Sequence, residues 1–268
     1  MQNIPIPYIS LVVPTHHRSR LLRRALDSVN SQSIRKDIEV IVVSDCACTD
    51  TDFVCHELLQ PGDVYISNIG RPGPSASRNL ALKLASGQHI MFLDDDDAWS
   101  PGFTEALLSS QNDKNFDIVY FDCTVIKESR PIEGPIRLGE VSLNLSGKLN
   151  LDVFVKNQIH MSCFLFSKAL ITGLEFDQTM RAYEDWDFLL SVFERKIPRH
   201  ISVMCSQIFE VDDATTDRRG SSVDARNENS VLDYLYVYRR HSAPNLEIQK
   251  KRKDLLESAG LQISQFLL

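Results

Sequence analysis

Ile90-Met91-Phe92-Leu93-Asp94-Asp95-Asp96-Asp97-Ala98-Trp99 decides the reading of this chain, because an apolar run of strand character ends without transition in four carboxylates. Unit charges about 4 Å apart repel by roughly 4 kcal/mol at an effective dielectric near 20, so such a cluster needs full hydration, protonation or a cation. Side chains alternate across an extended chain. If the strand continued through the cluster, Asp94 and Asp96 would face one way and Asp95 and Asp97 the other. At most two or three of the four could then serve one ion. Oxygen-only ligands suit hard divalent ions such as Mg²⁺ or Mn²⁺, and Mg²⁺ is commonly held by one or two carboxylates plus substrate phosphates. The alternative is a solvated acidic loop; the position directly after a buried strand favours the ion.

Working outward, the pattern repeats. Ile9 to Val13 and Ile38 to Val43 are continuous apolar, β-branched runs of the kind buried on both faces of a parallel sheet, and Val64 to Ser67 is a shorter one. Between the first two, Leu22, Ala25, Leu26 and Val29 recur at helical spacing from Leu21, with Arg18, Arg20, Arg23 and Arg24 around the other face. Before His89 to Leu93, Pro74 suits a first helical position, Ala76, Leu80 and Leu84 form a stripe, and Gly87 stops the helix. This order predicts a doubly wound α/β sheet with right-handed crossovers. Ligands bind such sheets beyond the carboxyl ends of the strands, where Thr15, Asp45 and Asp94 to Asp97 fall.

Past Pro101 the pattern changes. A helix near Phe103 to Ser109 and a strand near Asp117 to Phe121 precede Lys127 to Lys148, which has weak periodicity and reads as loops and short edge strands. Ser162 to Phe166 and Ile201 to Phe209 read as strands. Tyr183 to Glu194 reads as a helix whose first turn carries Glu184, Asp185 and Asp187. Asp212 to Arg226 is polar and reads as a mobile loop. Two closing helices are expected at Ser230 to Arg240 and Leu246 to Phe266.

The chain has 268 residues, 43% of them apolar, and a net charge of −7. That composition supports a large core and argues against a nucleic-acid binder relying on broad phosphate neutralisation. No apolar run is long enough to cross a bilayer and Met1 to Tyr8 lacks a secretory signal, so a cytoplasmic location is expected. The six cysteines then read as reduced thiols. Cys46, Cys48 and Cys55 could suggest zinc, but no fourth ligand stands at finger-like spacing.

Four stretches together resemble the inverting glycosyltransferases of family 2 with the GT-A fold: Val12-Val13-Pro14-Thr15-His16-His17-Arg18, Ile41-Val42-Val43-Ser44-Asp45, Gly73-Pro74-Ser75-Ala76-Ser77-Arg78-Asn79 and Phe92-Leu93-Asp94-Asp95-Asp96-Asp97. Tyr183-Glu184-Asp185-Trp186-Asp187 is similar to the family's Glu-Asp motif. The resemblance covers about residues 8 to 210. It implies a GT-A domain over 1–210, with a nucleotide-binding half (1–100) and an acceptor-binding half (101–210), followed by a loop and helical extension over 211–268. It further implies that Pro14, Thr15, His16, Arg18, Asp45, Arg78, Asp94 and Asp95 serve the donor nucleotide, and that Asp94-x-Asp96 is the metal motif. Asp185 would be the catalytic base, with Glu184, Trp186, Arg218 and Arg219 as candidate acceptor or diphosphate contacts. Taken alone, acidic residues in a first helical turn are commonplace, Trp186 could equally anchor its helix to the core, and Arg218 and Arg219 could simply be solvated. Two departures stand out: Ser44-Asp45-Cys46-Ala47 replaces the frequent Asp-Asp-Gly-Ser, and His17 replaces Asn.

The implied activity is metal-dependent transfer of a sugar from a nucleoside-diphosphate donor to a saccharide or lipid-linked saccharide acceptor, in bacterial surface polysaccharide or lipopolysaccharide synthesis. A sugar-phosphate nucleotidyltransferase would want a Gly-rich loop after the first strand, and Pro14 to Arg18 has no glycine. A non-catalytic sugar-nucleotide-binding or scaffolding protein stays open on sequence alone. The last helix, with Lys250 to Lys253 and Leu255, Leu256, Leu261, Ile263, Phe266 and Leu267, could touch an anionic membrane, its own domain or a second subunit in a homodimer.

Overall fold

The computed structural model of the chain describes residues 6–67, 70, 72–110, 116–180, 182–211, 228–258, 260 and 262–264. Its first half is a run of parallel βα units. Strands β1 (Ile9–Thr15), β2 (Ile38–Ser44), β3 (Val64–Ser67) and β4 (His89–Phe92) lie in the order β3-β2-β1-β4, joined by α1 (Ser19–Asn30), α2 (Thr49–Leu58) and α3 (Pro74–Leu84). The two-residue period of the strands divides their side chains between two cores. Leu11, Val13, Val40, Val42, Met91 and Leu93 pack with Leu22, Ala25, Leu26 and Val29 of α1. Val12, Ile41, Val43, Ile90 and Phe92 face the other way, toward Ala81 of α3. Continuous apolar strands were thus the correct sign of two-sided burial. Gly87 permits the close approach of α3's exit to β1, since a Cβ there would lie 2.6 Å from the Ser10 amide nitrogen.

The second half is mixed. It contains β5 (Ala98–Trp99), α4 (Phe103–Ser109), β6 (Ile118–Ser129), β7 (Ile136–Leu143), β8 (Phe164–Ser167), α5 (Lys168–Ile171), α6 (Glu184–Phe193) and β9 (Arg199–Val211). β8 runs antiparallel to both β4 and β6, β9 parallel to β6, and β5 antiparallel to β9, which completes nine strands among the described residues. The stretch from Lys127 onward is more regular than its sequence suggests: β6 runs to Ser129 and pairs with β7 as an edge hairpin. β7 is exposed on both faces over almost its whole length, so it has no alternation to read.

Helices α7 (Glu228–Arg240) and α8 (Leu246–Ser258) close the described chain. Val237, Tyr238 and Leu256 join the core that holds α6. The last helix is shorter than expected, and Phe266, its expected end, lies outside the described residues. α8 stops at Ser258, Gly260 turns the chain at φ +90°, and residues 262–264 are not helical. Its inward face carries Ile248, Arg252 and Leu256; buried Arg252 donates from Nε to the Phe154 carbonyl at 2.8 Å and lies over the Tyr238 ring. Lys251 pairs with Asp152 and Glu247. This face packs on its own chain. Among the described residues no helix is long and apolar enough to cross a membrane.

Candidate active site

The acidic loop is not a continued strand. β4 ends at Phe92, and a turn closes over Asp95 and Asp96 with the Asp97 amide donating to the Asp94 carbonyl at 3.0 Å. The alternation nevertheless survives as a division of labour. Asp95 and Asp97 are buried and act as anchors, while Asp94 and Asp96 keep 42% and 24% of their side chains exposed. Asp95 accepts from the Thr15 hydroxyl at 2.7 Å and from Arg18 at 3.2 Å, which ties the loop to the end of β1. Burial raises its pKa to about 6, with Arg18 opposing and Asp96 adding to the rise. Asp97 accepts from Ser162 Oγ and from the Phe209 amide, both at 3.1 Å; burial and the charges of Asp96 and Asp94 drive its pKa well up.

Asp94 and Asp96 are fixed from opposite sides. Asp94 Oδ1 accepts from Arg78 at 2.8 Å, and Asp96 Oδ2 accepts from Arg18 at 3.4 Å and from Arg130 at 3.3 Å. Among the described residues, Asp94 Oδ2 and Asp96 Oδ1 accept no hydrogen bond. One hard oxygen on each carboxylate therefore remains for an ion, which fits Mg²⁺ or Mn²⁺ completed by phosphate and water. No third described acidic side chain converges with them into a ready cluster.

Arg78, on α3, is the connector. It is buried, and besides Asp94 it binds Glu184 at the start of α6 at 3.1 Å, spanning 106 residues of sequence. Burial works against its charge, yet Asp94, Glu184 and Asp185 outweigh that and raise its pKa. Asp185 follows in the first turn of α6, where its Oδ1 accepts from the Trp186 amide at 2.7 Å. Its carboxyl pKa rises to about 6, first through burial and then through Glu184, with Arg78 pulling the other way; Asp94 adds to the rise. Such a group is ionised at neutral pH but remains a competent proton acceptor. Beyond β2, Asp45 accepts from the Gly73 amide at 2.6 Å and shares a 2.5 Å contact with His16 Nδ1.

With this geometry, the description "Glycosyl transferase family 2" matches residues 10–171. The chain belongs to this glycosyltransferase family. A relative from Campylobacter jejuni subsp. jejuni serotype O:2, named GalNAc(5)-diNAcBac-PP-undecaprenol beta-1,3-glucosyltransferase, is 28% identical over 221 residues, 78% of this chain and 68% of that protein. Two solved structures share the GT-A fold. Staphylococcus aureus TarS 1–349 in complex with UDP-GlcNAc gives a TM-score of 0.65 at 15% identity, over 96% of this chain and 74% of that one. The mannosyltransferase PcManGT from Pyrobaculum calidifontis, in complex with GDP-Man and Mn²⁺, gives 0.60 at 18% identity over 96% and 74%.

In this glycosyltransferase, Thr15, His16, Arg18, Asp45, Arg78, Asp94, Asp95, Asp96, Glu184 and Asp185 gather at one end of the sheet, linked by the contacts above. Pro14 lies within β1, paired in register with Val43. Trp186 is a correction. Its side chain is fully buried, its Nε1 donates to the Val153 carbonyl at 2.7 Å, and Tyr183, Tyr234 and Tyr238 surround it, so it cannot touch an acceptor. Arg218 and Arg219 lie outside the described residues. Sequence reasoning missed Arg24, Glu128 and Arg130. Buried Glu128 binds Arg24 and Arg130, each at 2.7 Å, and Arg24 also donates to the Asp96 carbonyl at 2.6 Å. A charge on β6 more than 100 residues from α1 carries no local sign of that pairing.

Proposed function

We propose that this glycosyltransferase moves a sugar from a nucleoside-diphosphate donor to an acceptor hydroxyl in one inverting displacement, with Asp185 as base and Asp94 and Asp96 as the divalent-metal site. One observation carries the reading: Arg78 binds both Asp94 and Glu184, the neighbour of Asp185, so the acidic loop and the start of α6 share one guanidinium. The residue order of the sheet end suits the donor. Asp45 and His16 face the base and ribose, Thr15, Arg18 and Asp95 hold the loop, and Arg78 approaches the diphosphate. Asp185 takes the proton as the acceptor oxygen bonds to the anomeric carbon and the bond from that carbon to phosphate breaks, its electron pair leaving with the nucleoside diphosphate. A divalent ion, when bound, stabilises that departing charge as a Lewis acid.

The acceptor we infer is a saccharide on a polyprenyl diphosphate, as the name of the Campylobacter relative states for that protein. Its work would lie at the cytoplasmic face of a membrane, within surface polysaccharide synthesis. Asp185→Asn should lower kcat by about 10²–10⁴-fold while leaving UDP and Mn²⁺ binding within twofold. Asp96→Ala should instead weaken Mn²⁺-dependent nucleotide binding, read by thermal shift with UDP, GDP or dTDP. Full turnover in the Asp185 variant would remove the base assignment.

A further inference from the structure

The same end of the sheet holds a second donor set of different chemistry. β1 and β2 end in register at Thr15 and Ser44, so the loops that leave them emerge side by side. There His16, His17 and Cys46 bring ligand atoms within 4.8 Å of one another. Two imidazoles and a thiol suit Zn²⁺ rather than Mg²⁺ or Mn²⁺. With Zn–N near 2.0–2.1 Å and Zn–S near 2.3 Å, a tetrahedral ion needs its donors roughly 3.3–3.8 Å apart. Closure therefore asks for a movement of about 1 Å. The three residues are exposed or half-buried on loops, where a rotamer adjustment supplies it.

Three further features support the cluster. Cys48 stands at the N-cap of α2 and its thiol interacts with the His17 side chain. The Asp45 carboxylate holds His16 at Nδ1, the pairing that leaves Nε2 with its lone pair for an ion. His17 takes a left-handed backbone at φ +49°, uncommon for a residue with a side chain, and its ring meets that of His16 edge-on at 4.7 Å.

We propose that His16, His17, Cys46 and Cys48 form a site for a soft divalent ion, Zn²⁺ foremost, at the mouth of the nucleoside pocket, where ion and nucleoside diphosphate exclude each other. The exclusion rests on the assignment of Asp45 and His16 to the nucleoside; the metal site itself does not. Zn²⁺ would then inhibit at a place separate from the carboxylates Asp94 and Asp96.

The test titrates the full chain with Zn²⁺ by calorimetry without nucleotide, and with Co²⁺ as a spectroscopic probe. Wild type should show a thiolate-to-cobalt charge-transfer band. Cys46→Ser and His17→Gln, each with unchanged circular dichroism, should bind Zn²⁺ at least tenfold more weakly while Mn²⁺ affinity stays constant. Equal Zn²⁺ affinity in both variants, or no thiolate band, overturns the site. With Zn²⁺ present, the apparent Kd for UDP should rise in wild type and not in Cys46→Ser. Zn²⁺ bound with UDP affinity untouched would overturn the exclusion and the nucleoside assignment of this rim, while the metal site stands.

Discussion

The parallel half of the molecule, Ile9 to Phe92, and the mixed half, Ala98 to Val211, contribute differently to one acidic loop. The parallel half brings Thr15 at the end of β1, Arg18 just past it, and Arg78 of α3 to the loop. The mixed half supplies Ser162, Phe209 and Arg130, which hold Asp97 and Asp96 from behind. It also supplies α6, whose first turn carries the proposed base, Asp185. Most pocket-facing groups therefore come from local units, while their orientation is set by contacts of long range. Sites that need fixed geometry rely on such outer partners.

That contrast can be broken experimentally, beginning in the mixed half. Trp186→Ala removes a fully buried side chain that seats α6, and should cost about 3–5 kcal/mol in denaturant unfolding, with turnover lost before nucleotide binding. Arg78→Met cuts the link between the halves. It should cost about 2–3 kcal/mol, less than a fully buried pair would, because the Asp94 side chain is 42% exposed. Turnover should fall more than stability predicts, since Asp94 and Glu184, beside the proposed base, lose their common support. The smallest effect sharpens the role of α6. The proposed base Asp185 must be ionised, so with its pKa raised to about 6, kcat/KM should be flat above that pH. Below it, kcat/KM should fall about tenfold per unit, roughly 1.4 kcal/mol. A profile bending near pH 4 in wild type that is unchanged in Asp185→Glu would place the base elsewhere.

Legibility in the sequence follows the same division. β1, β2 and β4 were readable because burial on both faces leaves unbroken apolar runs, and α1 because its stripe Leu22, Ala25, Leu26 and Val29 keeps helical period. The β6–β7 hairpin was not, because Ile136, Leu138 and Val141 sit exposed on an edge where no face is selected. Asp94 and Asp96 were legible from alternation, although a turn and not a strand realises it. The Glu128 pairing with Arg24 and Arg130 was invisible, since only the register of β6 brings them together. The surroundings of Cys46 were invisible for a related reason: His16 and His17 lie beside it because β1 and β2 pair in parallel, which chain spacing does not reveal.

Among the described residues only His17 and Tyr183 combine a side chain with a positive φ, at +49° and +63°. One follows β1 and the other introduces α6, so each stands where the chain turns out of or into a regular element. Left-handed residues other than glycine carry a conformational cost of order 1–3 kcal/mol and persist only when their surroundings insist on them. The fold has accepted that tension at two corners. Variants selected for thermal endurance alone would therefore tend to relax these corners first, and to trade turnover for hardiness.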